Sequence, residues 1–167
     1  MILDLKNIAG AYGESLPFAY EADLSEMEMN GEYPFKTPVT IEGVVENRLG
    51  VLELHGTARA LYETRCARCL APVKVDLFAE CDSILSHDAP AEDRDDIYLL
   101  EGDFVDLDDL MIPALLIEVN MAYLCKPDCK GLCPKCGADL NQGECGCQTH
   151  EVDERLAILK TLLEKKD

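Results

Sequence analysis

A chain of 167 residues, 48% hydrophobic, 6% aromatic and without tryptophan, has apolar side chains enough for one packed domain, or for a domain with a small stapled appendage, and too many for a disordered polymer. A formal charge of −18 excludes a default polyanion binder, because such a surface repels phosphate backbones unless basic residues gather locally; it suits a cationic partner. The longest apolar run, Leu110 to Val119, is too short to cross a membrane and contains Pro113 and Glu118.

The opening Met1-Ile2-Leu3-Asp4-Leu5-Lys6-Asn7 lacks the basic and long apolar regions of a secretory leader, so a cytoplasmic protein with reduced thiols is expected. Ile2, Leu3 and Leu5 suit a short strand or a helical turn, Pro17 to Leu24 a strand, and Ser25 to Pro34 a polar turn region. From Val39 the pattern sharpens. Val39, Ile41, Gly43 and Val45 alternate with Thr40, Glu42, Val44 and Glu46. A turn follows at Asn47-Arg48-Leu49-Gly50. Leu52, Leu54, Gly56, Ala58, Ala60 and Tyr62 then alternate with mostly polar residues, which predicts a β-hairpin. Its second strand leads into Arg65-Cys66-Ala67-Arg68-Cys69. After Pro72 a third alternating run puts Val73, Val75, Leu77, Ala79 and Cys81 on one face, which makes Cys81 a small core hydrophobe rather than a ligand.

Residues 86–96 read as an exposed acidic linker, and the window Glu80 to Asp109 holds twelve acidic residues and one basic one, Arg94. Two readings stand: a solvated loop, or a docking strip for a basic protein through Asp88, Glu92, Asp93, Asp95, Asp96, Glu101 and Asp103. Ile97 to Leu100 suits one more short strand. Asp106 or Asp108 can cap a helix from about Leu107 to Val119, with Pro113 kinking it or starting a second helix. Its apolar residues are too many for a single stripe, so the segment is expected to be well buried. At the end of the chain Val152, Leu156, Leu159 and Leu163 recur at helical spacing, the mark of a terminal amphipathic helix.

Between these helices lie six of the nine cysteines. Cys133-Pro134-Lys135-Cys136-Gly137 is a turn that delivers two thiolates to one tetrahedral ion: Pro restricts the backbone after the first ligand and Gly allows positive φ after the second. Cys125 and Cys129, Cys145 and Cys147, and the distant Cys66 and Cys69 supply three further pairs. A redox role for Cys66/Cys69 requires a lowered thiol pKa, usually from a helix N-terminus, and strands flank this pair. Eight ligands divide into two zinc sites. The preferred division sets Cys66, Cys69, Cys125 and Cys129, which staple the sheet to the tail, against Cys133, Cys136, Cys145 and Cys147, a local set able to fold by itself; the rival joins Cys66/Cys69 to Cys133/Cys136 as a zinc ribbon. Spacing leaves both open. The fold class expected is α+β: an antiparallel β-rich domain with few helices over residues 1–104, then, over 105–167, a helix, a Cys-rich zinc-knuckle tail and the amphipathic helix.

The hairpin ending in Cys66-Ala67-Arg68-Cys69-Leu70-Ala71-Pro72, the acidic linker, Val105-Asp106-Leu107, and Cys129-Lys130-Gly131-Leu132-Cys133-Pro134-Lys135-Cys136-Gly137 with Leu140-Asn141 together resemble the YceD family, whose members are called large ribosomal RNA subunit accumulation proteins. The order of features matches along nearly the whole chain. Members often carry Pro where this chain has Asn120, and Asp-Pro-Arg where it has Asp153-Glu154-Arg155; neither touches the cysteine pattern. The resemblance implies a bacterial cytosolic protein that affects synthesis, processing or stability of large-subunit ribosomal RNA. It also hints at a small zinc-ribbon protein of the large subunit as partner.

No hydrolase or transferase constellation is visible: His55, His87 and His150 stand apart, and all-thiolate zinc is coordinatively closed. The expectation is a non-catalytic ribosome-biogenesis factor, without membrane or small-molecule substrate, that binds a basic ribosomal protein through its acidic surface. One alternative is direct RNA contact through Arg65, Arg68, Lys126, Lys130 and Lys135, which flank the cysteines and otherwise offset thiolate charge. Another is a redox-sensitive zinc chaperone.

Overall fold

The structure, a computed structural model, describes residues 1–88 and 96–147. They fall into two compact units, one of Met1–Thr64 with Pro72–Tyr123, the other of Arg65–Ala71 with the chain from Leu124 onward. The boundary expected near residue 105 is thus not where the chain divides. Strand β1 (Ile2–Asp4) pairs with β7 (Phe104–Asp106), Leu3 opposite Val105, and this ties residues beyond 104 into the first unit. The turn Arg65–Ala71 joins the cysteine-rich segment through its own backbone: Leu132 N–H donates to the Arg68 carbonyl at 3.0 Å.

The first unit is organised by a five-stranded sheet in which β2 (Ser15–Ala22), β3 (Val39–Arg48), β4 (Val51–Arg65), β5 (Pro72–Ser86) and β6 (Ile97–Leu99) are neighbours in that order. The predicted hairpin is β3–β4, antiparallel with Ile41 opposite Ala58 and Val45 opposite Leu54. Its loop is shorter than the predicted four residues. Leu49 (φ 54°) and Gly50 (φ 95°) alone turn the chain, as the right-handed twist of the strands demands. Asn47 instead lies within β3, one residue before its end, and is fully buried; its Nδ2 donates to the carbonyls of Ile8 (2.6 Å) and Ala9 (3.1 Å), and its Oδ1 accepts from Gly50 N–H (2.8 Å). These bonds anchor the end of α1 (Lys6–Ala9), a single turn following β1, so the opening segment is both a strand and a helical turn. The sheet is not wholly antiparallel, since β6 runs parallel to β5 with Leu85 opposite Tyr98.

The alternation read from the sequence is the alternation of burial. Val39, Ile41, Val45, Leu54 and Ala58 are fully buried, and Leu77 and Ala79 continue the row on β5. Helix α2 (Asp108–Ile117) packs on this side with Met111 and Leu115 fully buried. A Cβ at Gly56 would lie 2.7 Å from the Met111 sulfur, so the missing side chain makes room for the helix. Pro113 sits inside one continuous helix rather than opening a second, and Asp106 Oδ1 accepts from Asp108 N–H at 3.1 Å at its start. Burial of α2 is narrower than its apolar content suggests: Ile117 is 81% exposed. Cys81 is half-buried with its sulfur 3.9 Å from the Leu110 carbonyl oxygen, and burial pushes its thiol pKa up. The amphipathic helix expected at 152–163 lies outside the described residues. Among the described residues no helix is long and apolar enough to cross a membrane.

Candidate metal centres

Two turns of the second unit share one hydrogen-bond pattern. In the first, Cys66 N–H donates to the Ala71 carbonyl (2.8 Å) and Leu70 N–H to the Cys66 carbonyl (2.9 Å). In the second, Cys133 N–H donates to the Ala138 carbonyl (2.8 Å) and Gly137 N–H to the Cys133 carbonyl (2.8 Å). The residue after the second cysteine takes positive φ in both, Leu70 at 61° and Gly137 at 73°. Glycine does this without strain and leucine does not. Each turn leaves its two sulfurs side by side.

The sulfurs gather into two groups, Cys66 with Cys69, Cys125 and Cys129, and Cys133 with Cys136, Cys145 and Cys147; within each group they lie within 4.8 Å of one another. Cys66 and Cys129 sulfurs are 3.8 Å apart and those of Cys69 and Cys125 3.5 Å. Four thiolates at about 2.3 Å from one tetrahedral ion would sit about 3.8 Å apart, whereas a disulfide needs about 2.05 Å. Both groups therefore have the donor set and spacing to hold a metal ion. The ribbon alternative, Cys66/Cys69 with Cys133/Cys136, is not the grouping observed.

Electrostatics within each group are uneven. The backbone N–H of Cys125, followed by those of Arg68 and Cys69, draws the Cys66 thiol down to about 6 against the opposing effect of burial. The N–H groups of Cys136 and Lys135 do the same for Cys133, also to about 6. Conversely Cys125, hydrogen-bonded first to the Cys69 sulfur, is pushed up to about 12, and Cys147, bonded first to Cys136, also to about 12. One sulfur in each group is thus drawn toward the thiolate, while Cys125 and Cys147 are held as thiols by hydrogen bonds to their sulfur neighbours. A central divalent cation would favour the thiolate at every position.

Gly131 links the two groups, standing between Cys129 and Cys133. Its φ is 76°, and a Cβ there would fall 2.9 Å from the Arg68 carbonyl oxygen. Arg68 Nη1 in turn donates to the Cys129 carbonyl at 2.8 Å. Asn141 closes the arrangement: its Oδ1 accepts from Lys130 N–H (2.9 Å), its Nδ2 reaches the Cys129 sulfur (3.5 Å), and Asp139 Oδ1 accepts from its backbone N–H (2.9 Å) and Nδ2 (2.7 Å). Such partners orient metal ligands. Asn141 stands out in the sequence only as part of the Leu140-Asn141 pair, and nothing there ties it to a sulfur twelve residues away.

Of the five basic residues flanking the cysteines, Arg68 is committed to Cys129, while the Lys126 carbonyl accepts from Cys129 N–H at 3.1 Å. Lys130 gives its N–H to Asn141, and the side chains of Arg65, Lys126, Lys130 and Lys135 belong to exposed residues. Of the acidic candidates, Glu92, Asp93 and Asp95 lie outside the described residues. Asp88 and Glu101 are exposed. Asp96 and Asp103 contribute to the fold through their carbonyls, which accept from Ile84 N–H (2.7 Å) and Leu5 N–H (2.8 Å). His55 Nδ1 meets Asp82 at 2.7 Å, His87 Nε2 lies 3.0 Å from the Gly102 carbonyl, and His150 lies outside the described residues.

A family model described as large ribosomal RNA subunit accumulation protein YceD matches residues 54–163. An uncharacterized protein of Mycobacterium tuberculosis is 36% identical over 130 residues, which cover 74% of this chain and 59% of its own. A chloroplastic protein of Zea mays, named a large ribosomal RNA subunit accumulation protein YCED homolog, is 30% identical over 159 residues, 75% of this chain and 54% of its own. Its Arabidopsis thaliana counterpart is 27% identical over 165 residues, 80% of this chain and 51% of its own. The chain spans little more than half the length of these relatives. No solved structure matches. The matched region runs from β4 through both cysteine groups, and on that ground the chain belongs to the YceD family.

Proposed function

We propose that the protein is a non-catalytic factor in the accumulation of large-subunit ribosomal RNA. It acts in the cytoplasm, on a scaffold stapled by two zinc ions, by binding a basic protein of the large subunit. The role in RNA accumulation rests on family membership. The observation that carries the zinc assignment is the pair of four-cysteine groups at thiolate spacing: soft, all-sulfur, tetrahedral donor sets favour zinc, leave no position open for substrate, and are structural where their function is known. Cys66, Cys69, Cys125 and Cys129 would hold one ion, and Cys133, Cys136, Cys145 and Cys147 the other. Zinc there supplies cross-linking rather than reaction chemistry. The formal charge of −18 argues for a cationic partner and against direct contact with RNA.

The test combines native mass spectrometry with elemental analysis of the full chain, then deletion of its gene. Two zinc ions per chain are expected. The ratio of large- to small-subunit ribosomal RNA is expected to fall on deletion and to recover with the wild-type chain but not with Cys66→Ser/Cys133→Ser. An unchanged ratio overturns the reading. A metal-free chain that folds normally in chelator overturns the zinc assignment alone.

A further inference from the structure

The sheet of the first unit buries one face against α2 and turns the other outward. In register, the outward rows are Pro17, Ala19 and Glu21 on β2, Thr40, Glu42, Val44 and Glu46 on β3, and Glu53, His55, Thr57 and Arg59 on β4. On β5 the exposed row is Lys74, Asp76, Phe78, Glu80 and Asp82. This face is not flat. A groove of about 650 Å³ lies among Pro38, Thr40, Arg59, Leu61, Asp76 and Phe78. A second, of about 340 Å³, is lined by Glu42, His55, Thr57, Glu80 and Asp82. A third, of about 130 Å³, reaches Glu53 and Asp96. The three follow one another along β4, so the face carries a trough, apolar and aromatic at one end and acidic at the other.

Charge is compensated mainly at the margins of this face; in its middle Asp82 meets His55 Nδ1 at 2.7 Å. Glu46 and Glu53, directly opposite each other, share Arg48 at 3.0 and 3.3 Å. Glu63 takes Lys36 at 3.2 Å and also Lys74. At the apolar end the Arg59 guanidinium stacks 5.1 Å from the Phe78 ring centroid, a cation–π contact. Glu42, Asp76 and Glu80 are exposed, and among the described residues none has a cationic partner. Glu42 on β3 and Asp76 and Glu80 on β5 face the same side across β4, and together they set up an anionic field that a cationic occupant neutralises.

The geometry points to this outward sheet face as the docking surface for an extended, lysine- and arginine-rich protein segment, laid along β4 with its cations over Glu42, Asp76 and Glu80 and an apolar side chain in the Phe78 groove. The inference rests on the proposed basic partner and specifies where it binds: on the sheet, not on the acidic linker at 86–96. An RNA strand is disfavoured because no row of basic residues tracks the trough.

The test titrates a decalysine peptide and a deca-arginine peptide into the isotopically labelled full chain by NMR at low salt. Three proteins are compared: wild type, the sheet-face variant Glu42→Gln/Asp76→Asn/Glu80→Gln, and the linker variant Asp88→Asn/Glu92→Gln/Asp93→Asn/Asp95→Asn. All substitutions are isosteric and at solvent-facing or linker positions, and unchanged amide spectra away from the altered positions verify the fold. The expected result is that amides of β3, β4 and β5 shift on titration, that the sheet-face variant binds about tenfold more weakly or worse, and that the linker variant keeps its affinity. Loss in the linker variant alone overturns the docking site and leaves the basic-partner reading standing. Failure of the wild type to bind either peptide, or preferential binding of a single-stranded RNA oligomer, overturns both.

Discussion

Replacing Gly131 by alanine tests the link between the two cysteine groups. Two effects act at this position. An L-residue held at φ 76° loses about 1–2 kcal/mol. The added methyl would also lie 2.9 Å from the Arg68 carbonyl oxygen and 3.3 Å from Arg68 Cβ, both closer than packed carbon tolerates. Relief requires the Leu132 N–H to Arg68 carbonyl bond, now 3.0 Å, to open, a further loss of about 1 kcal/mol. Gly137 supplies the control, since it has φ 73° and a methyl added there would meet nothing within 4 Å, so Gly137→Ala carries the conformational effect alone. On the proposed zinc-stapled architecture of the second unit, both effects appear as weakened metal binding. Gly137→Ala should lower zinc affinity about 5- to 30-fold and Gly131→Ala about 30- to 150-fold, at about 1.4 kcal/mol per decade. Competition against a chromophoric chelator, run on the full-length chain, reads both. Equal losses in the two variants would refute the claim that close approach of Arg68, rather than backbone conformation, makes residue 131 a glycine.

The remaining predictions use other parts of the same framework. Leu70, 55% exposed at φ 61°, stands where the second turn has glycine, so Leu70→Gly should raise zinc affinity by about 1 kcal/mol in the same competition assay. Leu49, 94% exposed at φ 54°, should respond likewise: Leu49→Asn should stabilise the first unit against urea by about 0.5–1 kcal/mol, detected by far-ultraviolet circular dichroism. Asn47→Ala strips buried carbonyls of Ile8 and Ala9 of their donor and should cost about 2–4 kcal/mol in that titration. Zinc binding should release fewer than four protons per site near neutral pH, because Cys66 and Cys133 are already drawn down to about 6, and affinity should rise with pH because Cys125 and Cys147, pushed up to about 12, must give up protons to bind; calorimetry in buffers of different ionisation enthalpy measures the release.

What the sequence revealed depended on whether its signal was local. The period-two alternation of Val39 to Tyr62 marks which side chains are buried, because a strand exposes alternate residues whatever it pairs with. Cys-x-x-Cys followed by a residue at positive φ is equally local, and both turns were legible as ligand pairs. Grouping of the pairs was legible in part: the closeness of Cys133, Cys136, Cys145 and Cys147 along the chain favours the observed division, while spacing alone does not exclude the ribbon. The Asn30-Gly31 dipeptide, at φ 54° and 80°, forms a tight turn between Met29 and Glu32 inside the stretch Ser25 to Pro34, which composition marks as a polar turn region. Asn47 looks like turn chemistry and is a buried anchor, because its partners on α1 lie some forty residues away. The parallel seating of β6 had no signal at all: three residues are too few to carry a pattern, and orientation follows from the path of the connection rather than from the strand.

The described residues of the two units differ in what they bury, and that difference bears on the proposed function. Every member of the apolar core, from Leu5 to Leu115, belongs to the first unit. Among the described residues of the second, the buried ones are Cys66, Cys129, Cys133 and Gly131, three sulfur donors and the glycine between the groups. The described residues of this unit bury too little apolar surface to offset the entropy of ordering their backbone, which supports the proposed coordinated ions. On that proposal its sulfurs serve architecture. A thiolate bound in a closed tetrahedron is neither a nucleophile nor a free redox couple. The proposed zinc sites therefore argue for recognition through surfaces that the core of the first unit makes rigid. The sheet of the first unit is such a surface, with its register fixed by buried rows and its uncompensated carboxylates held at strand spacing.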